Sequence, residues 1–439
     1  MVHKLPLRHR RTPQTSVPLR RLAAACLASL SFASSAAWAQ SSLPGRDVES
    51  LLAIARERNP EVHAMRLEAA ALREKPESAG ALPDPTFRVE LMDITNSGME
   101  ASPSLNPSKI GATKYTVMQM VPWFGKRDAM REAAEADAQV AATKVDATWL
   151  ELSMRVKSAY AQYYLASENE RITREVLELM GRLESVAQAR YAGGLAAQQD
   201  AIRAQVEQTT MRTDLLMIEA DKRRSAARLN ALVARPPSAP LATPEKVRPL
   251  PPPSRLLAAD LEQRALARNP AIAAEAARAR SAGKMVELAD LNRYPDFTVG
   301  VAPTQMGNKI AEWEIMFEVS IPLQQDSRRA REREARGMLE AANAKREAAQ
   351  FGVHGELAEN LATLDAARRT ETLAATSLLP QAELTFQSAL AGYENGKVDF
   401  ATLLDAQRQI LRARQERLKA QAEAQMRLAE IERIVGEDL

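Results

Sequence analysis

Few residues in this chain could do chemistry on their own. Beyond residue 39 there are only two histidines, His63 and His354, neither with a partner at metal-ligand spacing, so no zinc site is expected. Methionines 92, 118, 120 and 316 fall in stretches that read as strands, and Met99 and Met306 in loops. Thioethers suit Cu(I), but the plainer reading is flexible apolar filler. The many carboxylates stand beside Lys and Arg at helix-surface spacing, the pattern of solvated faces and i, i+4 pairs. No G-x-G-x-x-G, P-loop or G-x-S-x-G is present, so neither an enzyme nor a cofactor is expected. Two features remain. Glu312, Glu314 and Glu318 fall in one file of an alternating stretch, which suits either a cation-favouring lumen or simply a wetted face. Gly193, Gly194 and Gly396 sit where long helical patterns reverse direction.

The carboxylate file belongs to Ala311–Pro322. Ala311, Trp313, Ile315, Phe317, Val319 and Ile321 form one apolar row, and Glu312, Glu314, Met316, Glu318 and Ser320 the opposite one. Such period-two alternation predicts a strand with one greasy and one polar face, stopped by Pro322. Thr113–Val121 repeats the device, with Tyr115, Val117 and Val121 on one side and Pro122 after it. Thr86–Asp93 alternates Phe87, Val89 and Leu91 against Arg88, Glu90 and Met92. Residues 94–112, with Asn96, Gly98, Pro103, Asn106, Pro107 and Gly111, read as a loop.

Helices flank the strands. Residues 46–58 predict a short helix and 60–82 a second, disturbed at Pro76. From Arg127 to Tyr191 there is no proline and only one glycine, Gly181, which predicts a helix roughly 100 Å long at about 1.5 Å per residue. Ile172, Val176, Leu179, Leu183 and Val186 mark a heptad seam on it. A returning helix covers 196–234. Eight prolines between 236 and 253 mark an extended joint. The pattern then recurs. Asn269-Pro270 answers Asn59-Pro60 and Phe297 answers Phe87 at an offset of 210, the prolines closing the strands at 200, and the reversals at 202. A loop at 304–312, shorter than its counterpart, accounts for the change of offset. The second long helix is expected over 325–391, kinked at Pro380. The last carries Leu404, Leu411 and Leu418 at seven-residue steps and ends near Gly436. The organisation is thus a first repeat at 40–235, a Pro-rich linker at 236–256 and a second repeat at 257–439. The class is mainly α with a small β part. Four strands cannot close a barrel, and their apolar face and free edges need partners, so the chain must oligomerise.

Residues 1–39 read as a cleaved export signal: a basic start through Arg20-Arg21, an apolar core over Leu22–Phe32, and Ala37-Trp38-Ala39 before Gln40. The only cysteine, Cys26, lies in that core, so the mature chain has no disulfide. Six of the 59 basic residues and none of the 56 acidic ones fall in this segment, leaving 53 against 56. The net charge moves from +3 to −3, which removes the main support for nucleic-acid binding. No later stretch suits a transmembrane helix, whereas a closed barrel remains open to an exported chain.

The duplicated strand–loop–strand pairs, the VPWFGKR exit at 121–127, and the reversals at Tyr191-Ala-Gly-Gly194 and Tyr393-Glu-Asn-Gly396 together resemble the TolC-like outer-membrane efflux ducts over about 42–436. The resemblance implies a homotrimer whose strands share a twelve-stranded β-barrel in the outer membrane and whose helices form an α-barrel across the periplasm. It implies as partners a periplasmic adaptor and an inner-membrane pump, often of the RND type. The VPWFGKR exit leans toward the heavy-metal branch, while type I secretion or multidrug ducts would look similar. Phe87, Val89, Tyr115, Val117, Phe297, Trp313, Ile315, Phe317 and Val319 would then face lipid. Tyr191, Gly193, Gly194, Leu195, Gly396, Lys397 and Val398 would form tips where the adaptor docks. By motif position Asp405 matches an acidic residue that narrows and charges the entrance, and Asp200 and Tyr393 match latch residues. A pairing of Asp405 with Arg408 on its own helix is the competing reading. The basic latch residue of the family aligns with Val398, and a second acidic position with Thr402. A structural or adhesive envelope coiled coil is the alternative of another class; it leaves the four amphipathic strands unexplained.

Overall fold

A computed structural model of the chain describes residues 43–94 and 103–439. The expected export signal, and Asn96, Gly98 and Met99 of the first loop, lie outside the described residues. Gly45–Leu439 forms one compact unit.

Each half starts with a pair of helices joined at an Asn-Pro step. α1 (Val48–Arg58) is capped by Asp47, whose carboxylate accepts from the Ser50 N–H at 2.7 Å. Asn59 ends α1 and opens α2 (Pro60–Arg73), its Oδ1 accepting from the Glu61 and Val62 N–H groups. The break expected at Pro76 falls just before it, at Glu74, and a single further turn, α3, covers Lys75–Ala79. β1 (Thr86–Met92) and β2 (Ala112–Val121) follow. α4 (Lys126–Ala192) has 67 residues, so it runs roughly 100 Å. α5 (Gln198–Leu232) returns along it. The joint is irregular apart from one 3₁₀ turn at Pro253–Arg255. The second half repeats the order: α6 (Ala258–Arg268), α7 (Pro270–Leu291), β3 (Asp296–Met306), β4 (Lys309–Ser320), α8 (Gln325–Leu373), α9 (Leu379–Glu394) and α10 (Phe400–Val435).

The Asn-Pro pairs do double duty. Asn59 Nδ2 donates to the Leu232 carbonyl at 2.9 Å, and Asn269 Nδ2 to the Ile434 carbonyl at 2.8 Å. Asn269 Oδ1 also caps α7 through the Ala271 and Ile272 N–H groups. Each asparagine therefore starts one helix and clips the end of another, 165–173 residues away. Around them the cores correspond. Leu51, Ala55, Val62, Leu229 and Val233 pack together in one half, and Leu261, Ala265, Ile272, Ile431 and Val435 at the matching positions of the other. Each fully buried leucine contributes about 1.5–3 kcal/mol of transfer free energy.

The joint is tied down rather than loose. Tyr160 donates its hydroxyl to the Arg46 and Lys246 carbonyls at 2.8 and 3.2 Å. Buried Glu432 accepts from Lys157 Nζ at 2.7 Å and from Arg248 of the joint. Desolvation offsets much of the attraction in a buried pair of this kind, so its net contribution to stability is small.

The four strands form one antiparallel sheet in the order β1-β2-β3-β4, so β2 and β3 join the halves. The expected loop at 304–312 is instead strand, apart from the two-residue turn Gly307-Asn308, with Gly307 at φ 61°. A glycine at the first central position suits a two-residue hairpin, and this lets polar Thr304, Gln305 and Lys309 remain paired. In the second long helix the kink takes the form of a π turn, Ala374–Leu378, immediately before Pro380. The wider turn accommodates a ring that has no N–H to donate. On α4 the buried seam is Ile172, Val176, Met180, Leu183 and Ala187. Leu179 and Val186 of the expected heptad are only partly buried beside it, because Met180 and Ala187 lie on the side facing the other helices.

Candidate functional site

At the far end of α4, about 100 Å from the sheet by helix rise, both reversals are built alike. In the first, Gly194 N–H donates to the Tyr191 carbonyl at 2.9 Å and Leu195 N–H to the Arg190 carbonyl at 2.8 Å. In the second, Gly396 N–H donates to Tyr393 at 3.0 Å and Lys397 N–H to Gly392 at 2.8 Å. These are paired Schellman caps, with Gly194 and Gly396 in the left-handed region at φ 69° and 72°. Gly193 does not share that need, since it sits at φ −81°. Tyr191, Gly193, Gly194, Leu195, Gly396 and Lys397 are all exposed. Val398 is partly buried, its methyls packed within about 3 Å of where a Cβ on Gly392 would lie.

The structure brings Tyr393 and Asp200 together. The Tyr393 ring is buried, with the Phe400 ring centroid 5.3 Å away and the Arg190 guanidinium carbon 5.0 Å from its own centroid. Its hydroxyl donates to Asp200 Oδ2 at 3.4 Å. Burial first, and the Asp200 charge second, push the phenol pKa up, so it stays a donor. Arg190 also donates to the Glu394 and Leu195 carbonyls, linking the two tips. Asp399 caps α10 by accepting from the Thr402 N–H at 2.9 Å and its hydroxyl at 2.6 Å. The Thr402 hydroxyl, and then its N–H, hold the Asp399 carboxyl below the ordinary range.

Asp405 is largely exposed, with Arg408 at 3.5 Å on its own helix. The stronger partner of Arg408 is Glu207 of α5, which accepts two hydrogen bonds at 2.6 and 3.1 Å. Sequence reasoning missed this pair, because residues 201 apart on different helices carry no spacing signal. It missed Arg190 for the same reason.

The junction motif also has a structural basis. Gly125 adopts φ 81°, Trp123 stacks on Tyr294 at 4.9 Å, and buried Lys126 pairs with Asp296 at 2.8 Å. The sheet register places Phe87, Val117 and Val301 in one cross-strand row, followed by Ile315, and Val89 opposite Tyr115. Phe297 pairs with Val319, Val299 with Phe317, and Pro303 with Trp313. All nine side chains expected to meet lipid therefore share one sheet face. Trp313, Ile315 and Phe317 are 69%, 82% and 67% exposed. Glu312, Glu314 and Glu318 lie on the other face, where Lys114 Nζ meets Glu314 at 2.6 Å. Among the described residues no helix is long and apolar enough to cross a membrane.

A profile described as outer membrane efflux protein matches residues 51–235 and 261–437, one stretch in each half. The chain is 25% identical over 371 residues to the cobalt-zinc-cadmium resistance protein CzcC of Cupriavidus metallidurans, covering 82% of each. Among solved structures it is similar to the outer-membrane channel OprN, with TM-score 0.74, 21% identity and 89% of both chains covered. It is also similar to CusC, with TM-score 0.76, 16% identity, and 89% of this chain and 92% of that one covered.

Proposed function

The chain belongs to the outer membrane efflux protein family, and from that premise we propose that it is the trimeric outer-membrane duct of a tripartite system exporting heavy-metal cations. The observation that carries the reading is the sheet. Its apolar face is exposed in the protomer, and the outer edges of β1 and β4 pair with nothing among the described residues. Three copies joined edge to edge would close a twelve-stranded barrel, removing the edges and giving the apolar face to lipid. α5 supports the same assembly. Ala201, Ala204, Gln208 and Met211 form its buried seam, while Ile202, Val206, Thr209, Thr213 and Leu216 form a second, exposed heptad seam that suits a neighbouring copy.

In this reading residues 1–39 are removed on export and the polar sheet face lines the lumen. The helices of three copies continue the path across the periplasm, and the exposed tips at 191–195 and 396–398 meet the adaptor. Three Asp405 carboxylates converge on the entrance axis and raise a negative potential that draws cations. Conduction is passive, and the inner-membrane pump supplies the energy. The metal cargo rests on the likeness to CzcC, whose name records resistance to cobalt, zinc and cadmium. The test is a deletion strain challenged with cobalt, zinc, cadmium, copper and a panel of drugs. Sensitivity to the divalent metals, restored by the intact gene, supports the reading; sensitivity confined to drugs removes the metal cargo.

A further inference from the structure

Next to the sheet, the two halves meet along a seam between α4 and α7. Lys284 Nζ of α7 meets Glu132 of α4 at 2.6 Å, and the Ser281 hydroxyl donates to Asp137 at 2.9 Å. The same seam recurs, half made, at the two outer edges of the chain. The repeat matches α7 to α2 and α3 at an offset of 210, set by the capping asparagines Asn59 and Asn269. It matches the start of α4 to that of α8 at 201. There Arg127 and Arg328 each donate to a carbonyl at the end of the preceding helix, Gly80 and Asn292. By these offsets Glu132 corresponds to Arg333 and Lys284 to Glu74, so the charges change places. Asp137 corresponds to Met338 and Ser281 to Ala71, so a hydrogen bond gives way to apolar groups. All four of these counterparts are exposed, Met338 at 65%. Neither Glu74 nor Arg333 has an ion pair among the described residues. Leu67, one turn before Ala71 on α2, is 59% exposed.

We propose that α8 of one copy packs on α2 and α3 of a second copy, with Arg333 paired to the partner's Glu74, and that the exchanged charges dictate the order of repeats in the ring. The proposal rests on the reading of the sheet as one third of a closed barrel. Joining β4 to the partner's β1 brings these helices side by side, as the β2–β3 pairing brings α4 to α7 within the chain. The polarity then excludes the wrong neighbours. Setting α4 against the α2 of another copy would put Glu132 against Glu74, and setting α8 against another α7 would put Arg333 against Lys284. Each mispairing gives up an attractive contact and gains a repulsive one. First and second repeats must therefore alternate, and a copy joins in one orientation only. The exchange of Ser281 and Asp137 for Ala71 and Met338 suits a seam made between folded copies, because it leaves no polar group to satisfy there.

The experiment is cysteine cross-linking of the full chain in isolated outer membranes. Cys26 is the only cysteine and lies in the segment expected to be removed on export, so introduced cysteines alone report. Glu74→Cys with Arg333→Cys, treated with a short bismaleimide, should give covalent dimers and trimers on boiled denaturing gels. Glu132→Cys with Lys284→Cys, the counterpart within one chain, should link without gain in size. Each single cysteine should leave monomer, and a covalent dimer from Arg333→Cys alone overturns the alternation. Arg333→Glu should lower the assembly constant of the purified trimer on the order of tenfold, three exposed pairs each supplying a factor of about two. That loss should shrink in high salt. The exchanged variant, Glu74→Arg with Arg333→Glu, should return to within about twofold of the parent, a rescue that lost packing does not give. If the parent is a trimer but the cysteine pair leaves monomer, or links to a different protein, the seam is wrong and the barrel reading stands. An exchanged variant no closer to the parent than Arg333→Glu also overturns the seam. If the parent forms no trimer, both fall.

Discussion

Substituting Ile315 by arginine should block assembly. β4 has 12 residues, so it is about 40 Å long and, tilted by about 40°, rises about 30 Å, slightly more than the apolar band of about 25 Å. Ile315 lies within a residue of the strand's middle and is 82% exposed on the face shared with Val301 and Val117. An arginine facing lipid near the midplane costs about 2–4 kcal/mol. Three copies make that roughly 6–12 kcal/mol per trimer, comparable with the whole stability of a typical domain. Phe317→Arg, nearer the strand end, should be milder because the cost falls with depth. Glu318→Arg points to the opposite face and should leave assembly intact. The assay is the fraction of heat-sensitive trimer in isolated outer membranes, seen as the band shift between unheated and boiled samples. Equal assembly of Ile315→Arg and Glu318→Arg, or the reverse order, refutes the assignment of faces.

Three further outcomes can be checked by thermal unfolding of the purified trimer. Asn269→Ala removes a two-bond helix cap and the clip to the Ile434 carbonyl, and should cost about 1–3 kcal/mol per chain, with Asn59→Ala close behind. Gly194→Ala and Gly396→Ala force a side chain into the left-handed region and should each cost about 1–2 kcal/mol, whereas Gly193→Ala should be near neutral. Asp399 titrates below its ordinary range in the folded chain. Its stabilisation is therefore full above the unfolded carboxylate pKa and is lost as pH falls through the depressed folded value. Asp399→Asn should lower the midpoint at pH 7 and make no difference in strong acid; an equal effect at both refutes the linkage.

Much of the architecture could be read before any coordinates, because alternation and proline-free runs are local signals. The strand beginning at Thr86, the seam at Ile172 and Val176, and the Asn-Pro repeats all declare themselves within a few residues. The turn at Gly307-Asn308 was obscured because polar strand residues beside it break the apolar alternation. Gly193 looked as necessary as Gly194, since sequence does not say which glycine of a pair takes the positive φ. The tip site was half legible. Tyr393 and Asp200 could be proposed through motif position, but Arg190 over the Tyr393 ring and Glu207 against Arg408 depend on packing between the two halves. No periodicity within one helix encodes such pairs.

The central claim is that three copies enclose a continuous, water-filled path, and conductance across a planar lipid bilayer tests it most directly. Purified trimer added to one side of the membrane should give discrete, long-lived current steps with cation preference in a salt gradient, and Asp405→Ala should weaken that preference. A protein that assembles to a trimer yet produces no steps under any voltage or salt would contradict the duct.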